Sequence, residues 1–284
     1  MGLQLRRLSN ALGAEVMGLD LTRLDEHQFG EVNSAFLDHG ILLFRGQPLT
    51  TLQHIALSRG FGELDIHENA PQDRHPAHPE VLLITNEPKP GGAPSDTRYT
   101  GRVWHSDHSF TLVPALGSLL RAVEIPEVGG DTMFTNMYLA YETLSDGMKK
   151  LIDGLHGIHA TARKIDDPDR AADMKRRNPP VAQPLVRVHP ETGRKALYVG
   201  EKVKQIASMT AEESKPLLQY LCSHATRHEL VYRHQWRKDD IVMWDNRCTM
   251  HIALADFDET QLRHMERTTV LGTPSGHVYD GPLH

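Results

Sequence analysis

Val103-Trp104-His105-Ser106-Asp107 is the stretch from which the rest of the chain is read. Its bulky apolar lead-in suits a strand. At the two-residue period of a strand, His105 and Asp107 point to one face, as two ligands of one metal must. The chain carries 18 His and 37 Asp plus Glu in 284 residues, so about two His-x-acid pairs arise by chance. Four occur: His78/Glu80, His105/Asp107, His189/Glu191 and His264/Glu266. In the first and third a proline separates the pair, which marks a loop or a strand edge. Context favours His105/Asp107 as ligands, with a surface-loop pair as the alternative.

His251 lies 146 residues beyond His105 and is the candidate third ligand. A His-x-Asp pair with one distant His can supply a 2-His-1-carboxylate facial triad. Such a triad holds Fe(II) on one face and leaves the other open for oxygen chemistry.

Working outward, Asp25 to Gly40 has helical spacing (Phe29, Val32, Phe36) and ends on a glycine suited to a C-cap. Ile41-Leu42-Leu43-Phe44 is a short apolar run, hence a buried strand. Thr50 to Gly60 reads as a helix with Leu52, Ile55 and Ala56 inward. Val81 to Thr85 is strand-like, and the Pro- and Gly-rich segment after it predicts a mobile loop over about 87–102. That loop directly precedes the metal candidates, where a lid would lie; a plain surface loop is the alternative. Tyr138 to His156 reads as one amphipathic helix, with Leu144, Met148, Leu151, Ile152 and Leu155 at helical intervals. A charged insertion is expected over about 163–180. Leu185 to His189 and Ala196 to Val199 make a strand, a turn and a strand. Thr210 to His224 opens with a capping-box pattern, Thr210 to Glu213, and is a helix. Ile241 to Trp244 and Thr268 to Leu271 are late strands. Many short strands with a few interleaved helices predict a β-sandwich or jelly roll with helical decoration, not a doubly wound sheet. The length predicts one domain over 1–284.

Net charge of −6 and a pI near 6.3 give no basis for binding nucleic acid or anionic membranes. Two cysteines, Cys222 and Cys248, form no disulfide framework in a chain this long and no Cys-x-x-Cys pair, which fits a reducing compartment. The opening residues lack a signal-peptide core and carry Arg6 where a myristoylation site wants Ser or Thr. No apolar run approaches spanning length. A cytoplasmic protein is expected, with a small-molecule partner.

Trp104-His105-Ser106-Asp107-His108-Ser109-Phe110, Gly129-Gly130-Asp131-Thr132, Trp244-Asp245-Asn246-Arg247 with His251, and then Arg263 and Arg267 follow in a fixed order. In this the chain resembles the Fe(II)/2-oxoglutarate-dependent dioxygenases of the taurine dioxygenase and 2,4-dichlorophenoxyacetate dioxygenase family. The resemblance runs from Gly13-Ala14-Glu15-Val16 through Phe61-Gly62-Glu63 to the C-terminus. It implies an α+β, mainly β fold: a double-stranded β-helix, the cupin-like jelly roll, with helices outside. It implies His105, Asp107 and His251 as iron ligands, Thr132 and Arg263 on the distal carboxylate of 2-oxoglutarate, and Trp244 as a wall of that pocket. Arg267 and His67 match positions that grip an anionic substrate, although the segment from His251 to the arginines is one residue longer than in the taurine enzyme. His108, beside the triad, is a further candidate for the substrate pocket. A homo-oligomer, dimer or tetramer, is expected.

Residue chemistry supports the same assignments. Three protein ligands on six-coordinate iron leave two positions for a chelating 2-oxo acid and one for dioxygen. A carboxylate suits a planar guanidinium with a hydroxyl beside it. The implied reaction couples decarboxylation of 2-oxoglutarate, with release of succinate and CO2, to hydroxylation of a small organic anion beside a heteroatom. An aryloxyalkanoate-like carboxylate is the main expectation, since Trp104 to Asp107 and Tyr232-Arg233-His234-Gln235-Trp236 look closer to that branch. His67 looks closer to the taurine branch, so a taurine, alkanesulfonate or alkyl sulfate dioxygenase is the alternative. Asp107 argues against a halogenase, which lacks the carboxylate. A catalytically silent 2-oxoglutarate sensor and a zinc hydrolase are readings from other classes.

Overall fold

The Ile41–Phe44 strand is buried along its whole length. Alternation divides its side chains between two cores. Leu42 and Phe44 pack with Val32, Phe36, Ile55 and Leu57 under two helices. Ile41 and Leu43 pack on the other face with Phe134, Trp236 and Trp244. A strand covered on both faces has no polar position left, which is why its sequence is a continuous apolar run. The computed structural model describes residues 2–89, 91–161 and 168–283.

This strand belongs to an eight-stranded sheet ordered Gln4–Arg7, Ala14–Met17, Ile41–Phe44, Ile241–Asp245, Ala115–Glu124, His264–Leu271, His78–Thr85, Arg74–His75. Facing it is a three-stranded sheet, Val231–His234, Thr132–Asn136 and Thr249–Ala253. Phe134 carries that sheet into the core it shares with Leu120, Val242 and Met265. A four-stranded sheet of Val203–Ile206, His156–His159, Val181–Pro184 and His277–Val278 completes the jelly roll. A third apolar cluster, from Met137 and Leu185 to Leu221 and Met250, joins the smaller sheets to the Ala211–Ala225 helix. No helix among the described residues is long and apolar enough to cross a membrane.

The helices begin where local chemistry starts them. Asp25 caps Glu26–His39, Thr50 caps Thr51–Arg59 and Thr210 caps Ala211–Ala225, each in a reciprocal capping box. Gly40, at φ 68°, ends the first in the left-handed conformation its lack of a Cβ permits.

Two expectations are corrected. In Thr51–Arg59, Leu52 is 63% exposed and Ala56 is also outside; His54, Ile55, Leu57 and Ser58 face inward. The inner face includes polar groups because Ser58 Oγ lies 2.7 Å and His54 Nε2 3.3 Å from Thr268 Oγ1 on the sheet below. The stretch from Tyr138 is two helices, Met137–Glu142 and Asp146–Ile152. Ser145 starts the second by accepting from the Met148 amide, and this new start turns Leu151 outward while Ile152 stays buried.

Part of the expected insertion, residues 162–167, lies outside the described residues. The rest forms the Pro168–Arg177 helix and the approach to Val181. The described residues of 87–102 form turns, not helix or strand, tied back by Thr97 to Thr85 and by an ion pair between Lys89 and Asp96.

Candidate metal and cosubstrate site

Residues 103–107 do not form the extended strand their sequence predicts. His105 alone makes a bridge, donating its amide to the His251 carbonyl (3.1 Å) and accepting from the His251 amide (2.9 Å). The chain then turns, and the Asp107 amide donates to Asn246 Oδ1 at 2.9 Å, a side chain where a ladder would offer a carbonyl. Both residues still converge, through the turn instead of the pleat. The bridge seats two imidazoles from distant parts of the chain with ring centroids 4.2 Å apart.

Asp107 completes the group. His105 Nε2 is 3.7 Å from Asp107 Oδ1, and His251 Nε2 is 3.8 Å from Oδ2. All three residues are buried, with one ligand atom of each within 4.8 Å of the others. His105 Nδ1 lies 2.7 Å from the Val103 carbonyl, a bond that places the proton on Nδ1 and leaves the Nε2 lone pair for a metal. Asp107 Oδ2 accepts from Ser118 Oγ at 2.8 Å and Oδ1 from Arg267 Nη1 at 2.7 Å. Asn246 also donates to Ser118 and accepts from Trp244 Nε1, tying together two neighbouring strands of the eight-stranded sheet behind the carboxylate.

The protonation states suit a divalent cation. Burial works against ionising Asp107, but the Arg267 charge and the two imidazoles hold its carboxyl well below the usual range. Burial depresses His105 and drives His251 far down, so both imidazoles are neutral. An ionised carboxylate and two neutral imidazoles are the forms that bind metal.

Arg263 sits just before the His264–Leu271 strand and Arg267 within it. Arg263 is 8% exposed, donates Nε to the Gly130 carbonyl at 3.1 Å, and makes no ion pair among the described residues. Burial lowers it to about 10. It lines a small cleft with Arg98, Arg102, Thr97 and Ala253. Thr132 pairs with Ala253 in register, and its hydroxyl accepts from Trp236 Nε1 at 3.0 Å. Trp244 is fully buried, with its ring 4.8 Å from that of His251.

His67 and His108 meet at Asp65. His67 Nδ1 lies 2.9 Å and His108 Nε2 3.5 Å from Asp65 Oδ2. Burial opposes ionisation of Asp65, yet the His67 hydrogen bond and the His108 charge take it down to about 2. Both histidines have positive φ, 51° and 52°, a strained conformation for residues with a Cβ. His108 is within charge range of Asp65, Asp107 and Arg267, so this cluster adjoins the triad. Beside it opens a cleft of ≈ 290 Å³ lined by His108, Phe110, Leu112, Val113 and Arg177, among others.

Ser118, Asn246 and Asp65 are functional neighbours that sequence reasoning missed. Asn246 lay inside a quoted motif without a role. Ser118 is a small polar residue in a ten-residue strand, and that break in apolar character was its only signal.

Comparison with known proteins shows the family. Residues 4–269 match the family described as "Taurine catabolism dioxygenase TauD, TfdA family". The chain is 36% identical over 254 residues, 85% of each sequence, to an alpha-ketoglutarate-dependent 2,4-dichlorophenoxyacetate dioxygenase of Burkholderia sp. (strain RASC). It is 33% identical to an (S)-phenoxypropionate/alpha-ketoglutarate-dioxygenase of Sphingobium herbicidovorans, covering 95% of this chain and 96% of that one. The crystal structure of AAD-2 with Mn(II) and N-oxalylglycine superposes with a TM-score of 0.81 at 34% identity, covering 97% of this chain and 99% of the other.

Proposed function

The chain belongs to the taurine catabolism dioxygenase TauD, TfdA family, and from that premise we propose that it hydroxylates an aryloxyalkanoate-like carboxylate beside its ether oxygen. It is an Fe(II)- and 2-oxoglutarate-dependent dioxygenase of mainly β, jelly-roll architecture. Bound iron supplies the redox chemistry that couples decarboxylation of 2-oxoglutarate to substrate hydroxylation.

In this reading His105, Asp107 and His251 hold the iron; the observation that carries it is their buried, correctly protonated convergence. Ser118 and Arg267 fix the two oxygens of Asp107. Arg263 holds the distal carboxylate of 2-oxoglutarate, because a buried guanidinium without a carboxylate partner is costly until an anion reaches it. Thr132 adds its hydroxyl there, and Trp244 backs the pocket. Arg267, His67 and His108 receive the substrate's acid group. The apolar wall of Phe110, Leu112 and Val113 suits an aryl ring better than the short chain of an alkanesulfonate. The proposal extends to one catalytic domain over 1–284, to the segment 87–102 as a lid, and to a cytoplasmic homo-oligomer.

The test is a panel of aryloxyalkanoates, alkanesulfonates and alkyl sulfates scored by substrate-dependent succinate. Aryloxyalkanoates should stimulate it most. Stimulation by sulfonates or sulfate esters alone overturns the substrate reading, and no succinate under any condition points to a silent sensor.

A further inference from the structure

Beside the triad, where the His156–His159 and Val203–Ile206 strands meet the short Val186–Val188 strand, lies a second group of basic side chains that none of the assignments above uses. His159 ends the His156–His159 strand, is 2% exposed, and neither ring nitrogen has a hydrogen-bond partner. A buried polar group is nearly always satisfied, so two orphan nitrogens on one ring mark a place built for something else. The ring is held in position by stacking on Tyr198, centroids 5.4 Å apart.

Lys202 stands one residue before Val203, the register partner of His159. Its segment is fastened to the metal-ligand segment. The Glu201 amide donates to the Trp104 carbonyl at 3.0 Å, and Gly200 lies so close that a Cβ there would meet the Trp104 carbonyl at 3.0 Å and His105 Cα at 3.6 Å. Lys202 Nζ is 5.9 Å from the centre of the Phe110 ring, the aromatic wall of the substrate cleft. No carboxylate among the described residues pairs with it. Its charge reaches Asp107, His105 and His251. Arg187, 5% exposed with Nη1 unpartnered, also lies over the Tyr198 ring, its guanidinium carbon 5.1 Å from the centroid. The His159 imidazole feels both cations, and burial together with them keeps it neutral, down to about 3, so it has one N–H to donate.

The local charge balance is therefore uneven. Arg267 is matched by Asp107, whereas Lys202 and Arg187 make no ion pair with an acid among the described residues. We propose that Lys202 and His159, with Arg187 behind them, receive a second acidic group of the substrate, so that the preferred substrate is a diacid whose first carboxylate goes to Arg267 and His67. This rests on the aryloxyalkanoate reading for the placement of the ring and the first acid. It adds that the far side of the ring carries a negative charge. No bond is made or broken at this pole; it recognises and orients.

The experiment measures equilibrium binding to the protein loaded with Mn(II) and N-oxalylglycine. The probes are 4-carboxyphenoxyacetate and its uncharged isostere 4-carbamoylphenoxyacetate, and succinate formation with Fe(II) and 2-oxoglutarate is assayed in parallel. The diacid should bind about tenfold or more tightly than the amide, the scale of a charge-assisted hydrogen bond. That ratio should fall to near one in Lys202→Met, and fall part of the way in His159→Phe, which keeps the stack on Tyr198. Equal affinities in the parent protein, no binding by either probe, or a Lys202→Met ratio equal to the parent's overturns the proposal. A strong diacid preference in binding without succinate from either compound leaves this pole standing and removes the aryloxyalkanoate reading instead.

Discussion

Arg267 Nη1 stands 2.7 Å from Asp107 Oδ1, so the arginine assigned to the substrate is also tied to a metal ligand. In the proposed site, substrate recognition and metal binding would share one guanidinium. An anion that draws Arg267 toward itself changes the electrostatic load on Asp107.

Arg267→Ala should raise the substrate constant far more than the 2-oxoglutarate constant. Esterified or amidated analogues should be poor substrates for the parent enzyme, since Arg remains charged at any working pH and binds planar anions through paired bonds. Comparing both constants in steady-state assays checks this. If neutral analogues turn over as well as the acids, the role is wrong.

Ser118→Ala removes the hydroxyl that holds Asp107 Oδ2 and leaves a cavity of one atom. Loss of such an outer partner typically lowers metal affinity by about 10- to 100-fold. Titration with Mn(II) reads it directly, and His251→Ala should abolish tight binding altogether. Full metal affinity in His251→Ala would sink the triad.

Arg263→Ala should weaken 2-oxoglutarate by about 2–5 kcal/mol, the usual cost of truncating one side of a buried charged pair. Substrate-free turnover of 2-oxoglutarate supplies the measurement, and an unchanged apparent constant refutes the assignment.

Acid should destabilise the fold well before the carboxylates titrate. Burial lowers His54 from its ordinary 6.5 to about 4, so the unfolded chain binds the proton first. The stability from this group is fully present above about pH 6.5 and is lost as pH falls toward 4, by about 3 kcal/mol at most. The urea midpoint should drop between pH 7 and pH 5, and His54→Gln should lessen that drop by its own share, with His105, His159 and His251 supplying the rest. An equal drop in the variant would show that other groups cause it.

What was legible in the sequence was local. Thr210 with Glu213 announces a helix start because a cap needs only residues three apart, while the helices after Asp25 and Thr50 were readable from apolar spacing and their capping boxes emerged with the structure. Ile41 to Phe44 announces a strand covered on both faces. His105 and Asp107 were readable as a pair, though by a pleat the structure replaces with a turn. The contacts that make the site work were not readable. Asp107 meets Asn246, 139 positions on, and Lys202 nears His105 only once segments far apart in sequence have come together. Leu52 was misread for a related reason: the sheet beneath that helix offers Thr268, so His54 and Ser58 take the inner face.

The reciprocal backbone bridge between His105 and His251 also sets a timetable. A ribosome releases the chain from its N-terminus, so His105 and Asp107 emerge long before their partner. Until the Thr249–Ala253 strand is laid down, His105 has no bridge and Asp107 lacks Asn246, His251 and Arg267. A growing chain therefore holds at most a two-point claw for metal. The complete cradle comes into being only as the last strands close the barrel, so if these three residues hold the iron as proposed, the full ligand set exists only late in the making of each molecule.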